Sequence, residues 1–237
     1  MDKHYKKKES VNGYSITKKL GQGRYGIVYL AINENNEKVI IKQLKKEMLE
    51  ETRKKLFYEK KTLDTLSNYD NFPKFISKFE DGDREGYILE YIEGTVLEDL
   101  IYKRGYEFSK EEIYQIAAKV LDIMEILHEN NIVHRDIRTP NVIMRENKEL
   151  VLIDFGLARF IDENHLKDVD YWYLGDFLIH LYYSSYVEND EEEKPWYEEL
   201  NLKPEEEVFL KKLMGIEEAY KSIEEIREDL KKIKDSN

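Results

Sequence analysis

The chain has 237 residues, of which 41% are hydrophobic and 37% charged, and its formal net charge is −12. This composition is typical of one large folded domain or two packed lobes. The acidic balance argues against a nucleic-acid partner, because phosphate backbones are bound by clustered Lys and Arg. The chain has no cysteine, which excludes disulfides, and no apolar run of the roughly 18 residues that span a bilayer. We therefore expect a cytoplasmic protein without a transmembrane segment.

Short apolar or β-branched runs alternate with turn residues in the N-terminal third. They lie at residues 14–20, 27–32, 38–42, 75–79 and 87–92. This alternation predicts an antiparallel sheet, preceded by a basic tail over residues 1–9 that we expect to be solvated.

One helical pattern covers residues 47–66, between the third and fourth runs. Its stripe has spacings of 3, 4, 3, 4 and 3 and contains Leu49, Thr52, Leu56, Glu59, Leu63 and Leu66. Glu59 is thus an acid on the inward face of this helix. An unpaired buried charge costs several kcal/mol, so Glu59 needs a cation, and Lys42 is our candidate.

From Gly94 onward the pattern turns helical. A clean stripe of apolar residues consists of Ile113, Ile116, Ala117, Val120, Leu121, Met124 and Leu127. Residues 142–144 and 150–153 then predict a small hairpin. A largely apolar segment at 171–186 predicts a central buried helix. Two closing helices follow, and we expect the chain after Leu230 to fray.

The most informative motif is residues 134–141, His-Arg-Asp-Ile-Arg-Thr-Pro-Asn, followed by Asp-Phe-Gly at 154–156. Asp136 can accept the proton of a hydroxyl group. Asn141 and Asp154 are hard oxygen ligands of the kind that Mg²⁺ takes beside phosphate oxygens. The predicted hairpin would hold these two ligands at one end of paired strands. The spacing therefore indicates phosphoryl transfer, with His134 as a packing residue.

Taken together, these motifs resemble the protein kinase family over about residues 14–230. The resemblance implies an α+β, bilobal protein-kinase-like fold. A small antiparallel β-sheet lobe with one helix would occupy residues 10–92, and a mainly helical lobe would occupy residues 93–235. ATP and Mg²⁺ are the implied cofactors, with Mn²⁺ as an alternative metal.

Residues 21–28 resemble the family's glycine-rich loop, which covers the ATP phosphates between two strands, whereas a dinucleotide-binding turn leads into a helix. Residues 89–94 resemble the hinge that holds adenine through its backbone. The resemblance assigns nucleotide binding to Gly21, Gln22, Gly23, Arg24, Tyr25, Gly26, Val28, Ile40, Lys42, Glu90, Ile92 and Ile143.

The catalytic set implied by the resemblance is Asp136, Arg138, Lys42 and Glu59, and the metal ligands are Asn141 and Asp154. Lys42 would hold the phosphates, positioned by Glu59, and Arg138 would neutralise the γ-phosphate. The aspartate that braces the catalytic loop would be Asp170. The family's hydrophobic spine would contain Leu63, His134 and Phe155.

The chain departs from the family pattern after residue 156. Only thirteen residues, 157–169, separate the Asp-Phe-Gly motif from Asp170, and residues 157–170 contain no Ser, Thr or Tyr. Regulatory phosphorylation of this segment is therefore excluded. We hypothesise that Arg135 instead pairs with Asp162 or Glu163. A second departure is Ile40, where the family favours alanine, so a narrower adenine pocket and weaker ATP affinity are expected.

The preferred interpretation is an ATP-dependent serine/threonine-type protein kinase, which transfers the γ-phosphate of ATP to a protein hydroxyl. Two alternatives stay open. In the protein kinase family the segment after Asp-Phe-Gly is much longer and forms the shelf for a peptide substrate. Its shortness here favours a small-molecule kinase of the same fold. Ile40 is compatible with a nucleotide-binding scaffold without turnover.

Overall fold

The structure, a computed structural model, describes residues 3–23, 26–187 and 194–235. The chain divides into two units, Met1–Glu93 and Gly94–Asn237. No helix in the described ranges is both long and apolar enough to cross a membrane. The cytoplasmic location and the assignment of residues 10–92 and 93–235 as functional lobes stay predictions.

The first unit contains a six-stranded sheet in the order β1-β2-β3-β4-β6-β5, with antiparallel neighbours. Its strands are β1 (Ser10–Val11), β2 (Tyr14–Gln22), β3 (Gly26–Ile32), β4 (Lys38–Leu44), β5 (Phe75–Asp81) and β6 (Arg84–Glu90). One helix, α1 (Leu49–Thr65), lies between β4 and β5 in sequence, after a short 3-10 turn. The predicted antiparallel sheet and single helix are confirmed. Several strands exceed their apolar runs because polar residues at their ends also join the ladder.

The two faces of this sheet differ in chemistry, because successive side chains of a strand point to opposite sides. The core face carries the buried side chains of Ile27, Tyr29, Ala31, Val39, Ile41 and Ile88. Val28, Ile40 and Lys42 alternate with them in β3 and β4, and Val28 lies directly opposite Lys42. Three residues predicted to bind the nucleotide therefore share the other face.

The N-terminal arm, residues 3–9, is only partly the solvated tail that the sequence predicts. Lys3 and Lys6 are exposed, as are the two lysines that follow Lys6. Tyr5 is 5% exposed and belongs to the core cluster of the sheet. The prediction is wrong for Tyr5, because the free energy gained by burying its aromatic ring exceeds the conformational entropy lost when the short arm is ordered.

The second unit is mainly helical. Its helices are α2 (Leu97–Arg104), α3 (Lys110–Glu129), α4 (Asp168–Tyr182), α5 (Trp196–Glu199), α6 (Pro204–Leu213) and α7 (Ile223–Asp235). Its short strands are β7 (Thr95–Val96), β8 (Ile132–Val133), β9 (Val142–Met144), β10 (Leu150–Leu152) and β11 (Arg159–Phe160). The sheet partners are β7 with β9, β9 with β10, and β8 with β11.

Helix α3 begins at a capping box, in which Ser109 and Glu112 satisfy each other's backbone amides. The whole predicted apolar stripe of α3 is buried, and the helix contacts α4 and α7. The predicted hairpin is the β9–β10 pair. Fraying after Leu230 is wrong: α7 continues to Asp235 because Ile233, 4% exposed, packs into the core.

A buried carboxylate joins three helices of the second unit. Glu206 of α6 is 1% exposed, and it accepts hydrogen bonds from the Tyr114 hydroxyl of α3 and, at 3.4 Å, the Tyr182 hydroxyl of α4. Lys110 Nζ lies 2.6 Å from Glu206 Oε2. The buried charge is therefore compensated by one cation, two hydroxyl groups and the backbone amide of Lys203, which also donates to Oε2.

We expect Glu206→Ala to lower the free energy of unfolding by about 3 kcal/mol, because Lys110, two buried hydroxyls and the Lys203 amide lose the carboxylate to which they donate. Urea unfolding followed by circular dichroism measures the loss. The matched control is Glu205→Ala, an exposed acid on the same helix. Equal unfolding midpoints for the two variants would contradict a stabilising role of the network.

Candidate functional site

Lys42 and Glu59 form a buried ion pair in the first unit. Glu59 is 2% exposed, and its Oε1 lies 2.9 Å from Lys42 Nζ. The second oxygen of Glu59, Oε2, accepts a hydrogen bond from the Tyr87 hydroxyl. The predicted cation for Glu59 is therefore confirmed as Lys42, and the carboxylate has a partner on each oxygen.

Tyr87 is a contributor that the sequence analysis missed. It lies on β6 directly opposite Lys42 of β4, so its ring reaches the ion pair from the neighbouring strand. The preceding residue, Gly86, allows this approach, because an added Cβ there would lie 2.1 Å from the carbonyl oxygen of Lys42. A glycine before an aromatic residue inside a strand is a signal of close backbone approach.

The glycine-rich segment includes the end of β2 and the start of β3. The amide of Gly23 donates to the carbonyl of Gly26 at 2.9 Å, and Gly21 pairs with Val28. The segment thus connects strand to strand, as the sequence predicts for a phosphate-covering loop. Gln22 is exposed at the end of β2, whereas Arg24 and Tyr25 lie outside the described residues.

The three loop glycines are not equivalent. A Cβ on Gly26 would lie 2.9 Å from the Gln43 carbonyl oxygen, so packing within the sheet requires glycine there. A Cβ on Gly21 or Gly23 would meet no atom of the described residues within 4 Å. Packing within the described residues does not require glycine at these two positions, and nucleotide binding by Gly21 and Gly23 stays a prediction.

The predicted hinge follows β6. Glu90 is the last residue of the strand; its amide donates to the Lys74 carbonyl at 2.9 Å, and its Oε2 accepts from the Lys74 amide at 3.0 Å. Ile92 lies beyond the last ladder pair and is buried. Adenine binding by Glu90 and Ile92 stays a prediction, as does the role of Ile143, which lies in β9 of the second unit.

Asp170 organises the loop that precedes Asp136 in the second unit. It is fully buried at the start of α4, and its carboxylate accepts from the amides of His134 at 2.9 Å and Arg135 at 2.8 Å. The same carboxylate lies 3.1 Å from His128 Nε2. Arg135 has a φ of 66°, a strained left-handed conformation for a non-glycine residue, and the Asp170 bond holds it there. The predicted brace is confirmed, and His128 is an additional partner.

The carboxylate of Asp136 is held from two sides. Asn141 Nδ2 donates to Asp136 Oδ2 at 2.7 Å and to the Asp136 carbonyl at 2.9 Å. Arg138 Nε lies 2.9 Å from Asp136 Oδ1. The structure therefore brings together three residues of the predicted catalytic motif, and Arg138 contacts Asp136 itself.

Asn141 and Asp154 are connected through the backbone. The amide of Ile153, the residue before Asp154, donates to the Asn141 carbonyl at 2.8 Å. Asp154 has a φ of 65°, so the chain turns sharply after β10. Because the Asn141 amide nitrogen is engaged with Asp136, its side-chain oxygen is the atom that suits a hard cation. The donor set, one amide oxygen and one carboxylate, fits Mg²⁺ bound alongside phosphate oxygens.

His134 is buried beside this loop and packs against Phe155. It is 0% exposed, and its ring lies 4.7 Å from the Phe155 ring in an edge-on arrangement. Burial in this apolar setting lowers the pKa of His134, because a charged imidazole would lose its hydration. The predicted packing role is confirmed. Leu63, the third predicted spine residue, is buried in the first unit.

The segment after Phe155 is short and ordered. Strand β11 pairs with β8, and the amide of Ile161 donates to the Asn131 carbonyl at 2.7 Å. Asp162 Oδ1 lies 2.7 Å from His165 Nδ1, and the described residues show no ion pair of Arg135 with Asp162 or Glu163, so that hypothesis gains no support from the structure. A residue three positions away is reached at a smaller entropic cost than the distant arginine.

Comparison with known proteins agrees with this geometry. The family model described as "Protein kinase domain" matches residues 14–185. The chain is similar to "Probable serine/threonine-protein kinase YbdM" of Bacillus subtilis (strain 168), with 34% identity over 226 residues that cover 92% of this chain and 88% of that protein.

Other relatives are longer, and this chain matches only a part of their length. "Serine/threonine-protein kinase CLA4" of Candida albicans is 31% identical over 158 residues, which cover 65% of this chain and 16% of that protein. "Probable serine/threonine-protein kinase KIN1 homolog" of Enterocytozoon bieneusi (strain H348) is 30% identical over 186 residues, covering 76% of this chain and 29% of that protein. The chain thus spans a minor part of these two longer relatives.

The buried, neutral His134 predicts a specific pH dependence of stability. Its pKa is lowered in the folded state, so below pH of about 6.5 the unfolded chain binds a proton that the folded chain excludes. We expect His134→Phe to reduce the loss of stability on acidification by up to about 1.4 kcal/mol per pH unit below that point. Urea unfolding at pH 7.5, 6.5 and 5.5 measures the slope.

The control for this slope is His180→Gln, since the His180 side chain is 49% exposed on α4. If His134→Phe and His180→Gln kept the same pH slope as the unmodified chain, a neutral buried imidazole at position 134 would be ruled out.

Proposed function

This chain belongs to the protein kinase family, and from that premise we propose that it transfers the γ-phosphate of Mg-ATP to a Ser or Thr hydroxyl of a protein. The observation that supports this most strongly is the arrangement around Asp136. Its carboxylate is oriented by Asn141 and Arg138, on a loop that Asp170 fixes through two backbone amides.

Asp136 would act as the base for the acceptor hydroxyl. As that oxygen forms its bond to the γ-phosphorus, its proton passes to Asp136, and the bond from the γ-phosphorus to the β–γ bridging oxygen breaks to release ADP. Asn141 donates one hydrogen bond to Asp136 Oδ2, and Arg138 Nε lies against Oδ1, so each oxygen keeps one acceptor position for the hydroxyl proton. A carboxylate held in this way loses little freedom when it accepts the proton.

Lys42 would hold the phosphates, with Glu59 and Tyr87 keeping Lys42 in place, and the glycine-rich segment would cover them. Arg138 would divide its guanidinium between Asp136 and the γ-phosphate, because its fork offers several donors. Asn141 and Asp154 would hold Mg²⁺. The bound metal supplies charge neutralisation of the phosphate oxygens.

Ser or Thr of a protein is the proposed acceptor because the relative matched over nearly its whole length carries a serine/threonine-protein kinase name. A small-molecule acceptor is the second candidate, favoured by the thirteen-residue segment 157–169, which reaches α4 without a longer peptide-binding stretch. A scaffold without turnover is the third, and the complete Asp136, Asn141 and Asp154 set disfavours it.

We expect Asp136→Asn to lower kcat for ADP release by about 10²- to 10⁴-fold, because the acceptor proton loses its base. The dissociation constant for Mg-ATP should change little. Coupled ADP detection measures turnover, and titration calorimetry measures binding. The matched control is Asp99→Asn, an acid paired with Lys103 on α2.

The unmodified chain could bind nucleotide and yet show no ADP release that depends on Asp136. That result would leave the scaffold without turnover as the remaining candidate function. Equal turnover of Asp136→Asn and the unmodified chain would remove Asp136 as the base.

The acceptor class is tested with γ-labelled ATP and separate protein and metabolite pools. We expect label in the protein pool, as phosphoserine and phosphothreonine after acid hydrolysis, and no such label with Asp136→Asn. Label confined to the metabolite pool would overturn the protein acceptor in favour of the small-molecule kinase.

A further inference from the structure

A polar side chain lies inside the apolar core of the sheet in the first unit. Gln43 of β4 is 2% exposed and lies directly opposite Ile27 of β3 on the core face. Its predecessor in the strand, Lys42, points to the opposite face. Burying an amide without partners costs roughly 1–3 kcal/mol, so the contacts of Gln43 deserve an explanation.

Both partners of Gln43 lead to the N-terminal arm. Gln43 Nε2 donates to the carbonyl oxygen of Lys3 at 3.0 Å. Gln43 Oε1 accepts from the Tyr29 hydroxyl at 3.1 Å, and that hydroxyl oxygen accepts from the backbone amide of Tyr5 at 3.2 Å. The hydrogen bonds thus form a closed relay that begins and ends in the arm.

Tyr5 anchors the arm to the sheet. Its ring meets the rings of Tyr29 and Phe79 edge-on at 5.7 and 6.2 Å, and the Arg84 guanidinium carbon lies 3.6 Å from its centroid. The Tyr5 hydroxyl donates to Asp81 Oδ2 at 2.9 Å. Burial and the neighbouring carboxylate raise the pKa of Tyr5, so this hydroxyl remains a donor. Cation–π and aromatic contacts of this kind stabilise a partly buried ring.

The backbone of the arm joins the same structure. The amide of Lys8 donates to the Ile16 carbonyl, and the amide of Ile16 donates to the Glu9 carbonyl, both at 2.8 Å. Glu9 Oε2 also lies 3.3 Å from Arg84 Nη1. The arm therefore contacts β2, β3, β4 and the adjoining ends of β5 and β6.

We propose that the arm positions Lys42 for nucleotide binding, with Gln43 and Tyr5 as the positioning residues. Adjacent side chains of a strand are fixed to one peptide unit, so any rotation of β4 that releases Gln43 also turns Lys42. The arm holds Gln43 from the core face, and Glu59 holds Lys42 from the other. This inference rests on the proposed role of Lys42 in holding phosphates.

The test uses Gln43→Leu and Tyr5→Ala in the whole 237-residue chain. Val11→Ala is the matched control, since Val11 is buried in the same core cluster and makes none of the hydrogen bonds of the relay. Leucine preserves the bulk of Gln43 and removes both hydrogen bonds. We expect the two positioning variants to raise the dissociation constant for Mg-ATP by about three- to tenfold, because the phosphate-binding group loses its fixed geometry. Val11→Ala should lower Tm and leave this constant unchanged. Titration calorimetry well below every Tm provides the values.

Tyr5→Phe is the conservative variant. It keeps the ring contacts and the backbone amide and loses only the bond to Asp81, so we expect affinity close to that of the unmodified chain. Native-state hydrogen exchange of residues 38–44 gives a second readout that needs no nucleotide. Exchange should accelerate about tenfold or more in Gln43→Leu and Tyr5→Ala relative to Val11→Ala.

If the loss of Mg-ATP affinity were proportional to the drop in Tm in all variants, Val11→Ala included, the arm would contribute only to stability. That result would overturn the proposal. Unchanged affinity in Gln43→Leu and Tyr5→Ala would overturn it as well. If the unmodified chain bound no Mg-ATP, the proposed function would fail, and unaltered exchange at residues 38–44 would then separately reject the hold on β4.

Discussion

The candidate site depends on the hydrogen bonds that the Asp170 carboxylate accepts from two backbone amides. One of these amides belongs to Arg135, which adopts a left-handed conformation, and Asp136 is the next residue. An isolated chain would leave that conformation at a gain of a kcal/mol or more. The position of Asp136, and through it the contacts of Asn141 and Arg138, therefore follows from one buried charge on α4.

The sequence predicted those parts of the site in which a residue interrupts a regular pattern of apolar residues. Glu59 interrupts an apolar helical stripe, and the cost of a buried charge led from it to Lys42 across seventeen positions. The antiparallel sheet, the α3 stripe and the β9–β10 hairpin followed from periodicity in the same way. Periodicity reports which face of an element is buried, and it is strongest in long regular segments.

The remaining features depend on contacts between residues far apart in the chain, which leave no local trace. Tyr5 and Asp81 are separated by 76 positions, and a tyrosine among lysines has no period that would mark it as core. The second partner of Glu59, Tyr87, and the buried Glu206 network are of the same kind. The extent of α7 was missed because its charged composition hides Ile233, whose burial depends on neighbouring helices.

The Tyr87 hydroxyl lowers the cost of moving the Lys42 ammonium group away from Glu59. A lysine that turned toward an incoming anion would ordinarily abandon a buried carboxylate, and the desolvated negative charge would oppose the move. In this structure the Tyr87 hydroxyl donates to the other oxygen of Glu59. Glu59 would therefore keep one hydrogen bond if the Lys42 ammonium group moved toward a second anion. The electrostatic cost of moving the Lys42 ammonium group away from Glu59 would therefore be smaller, and the hydrogen bond to Tyr87 would still connect α1 to β6.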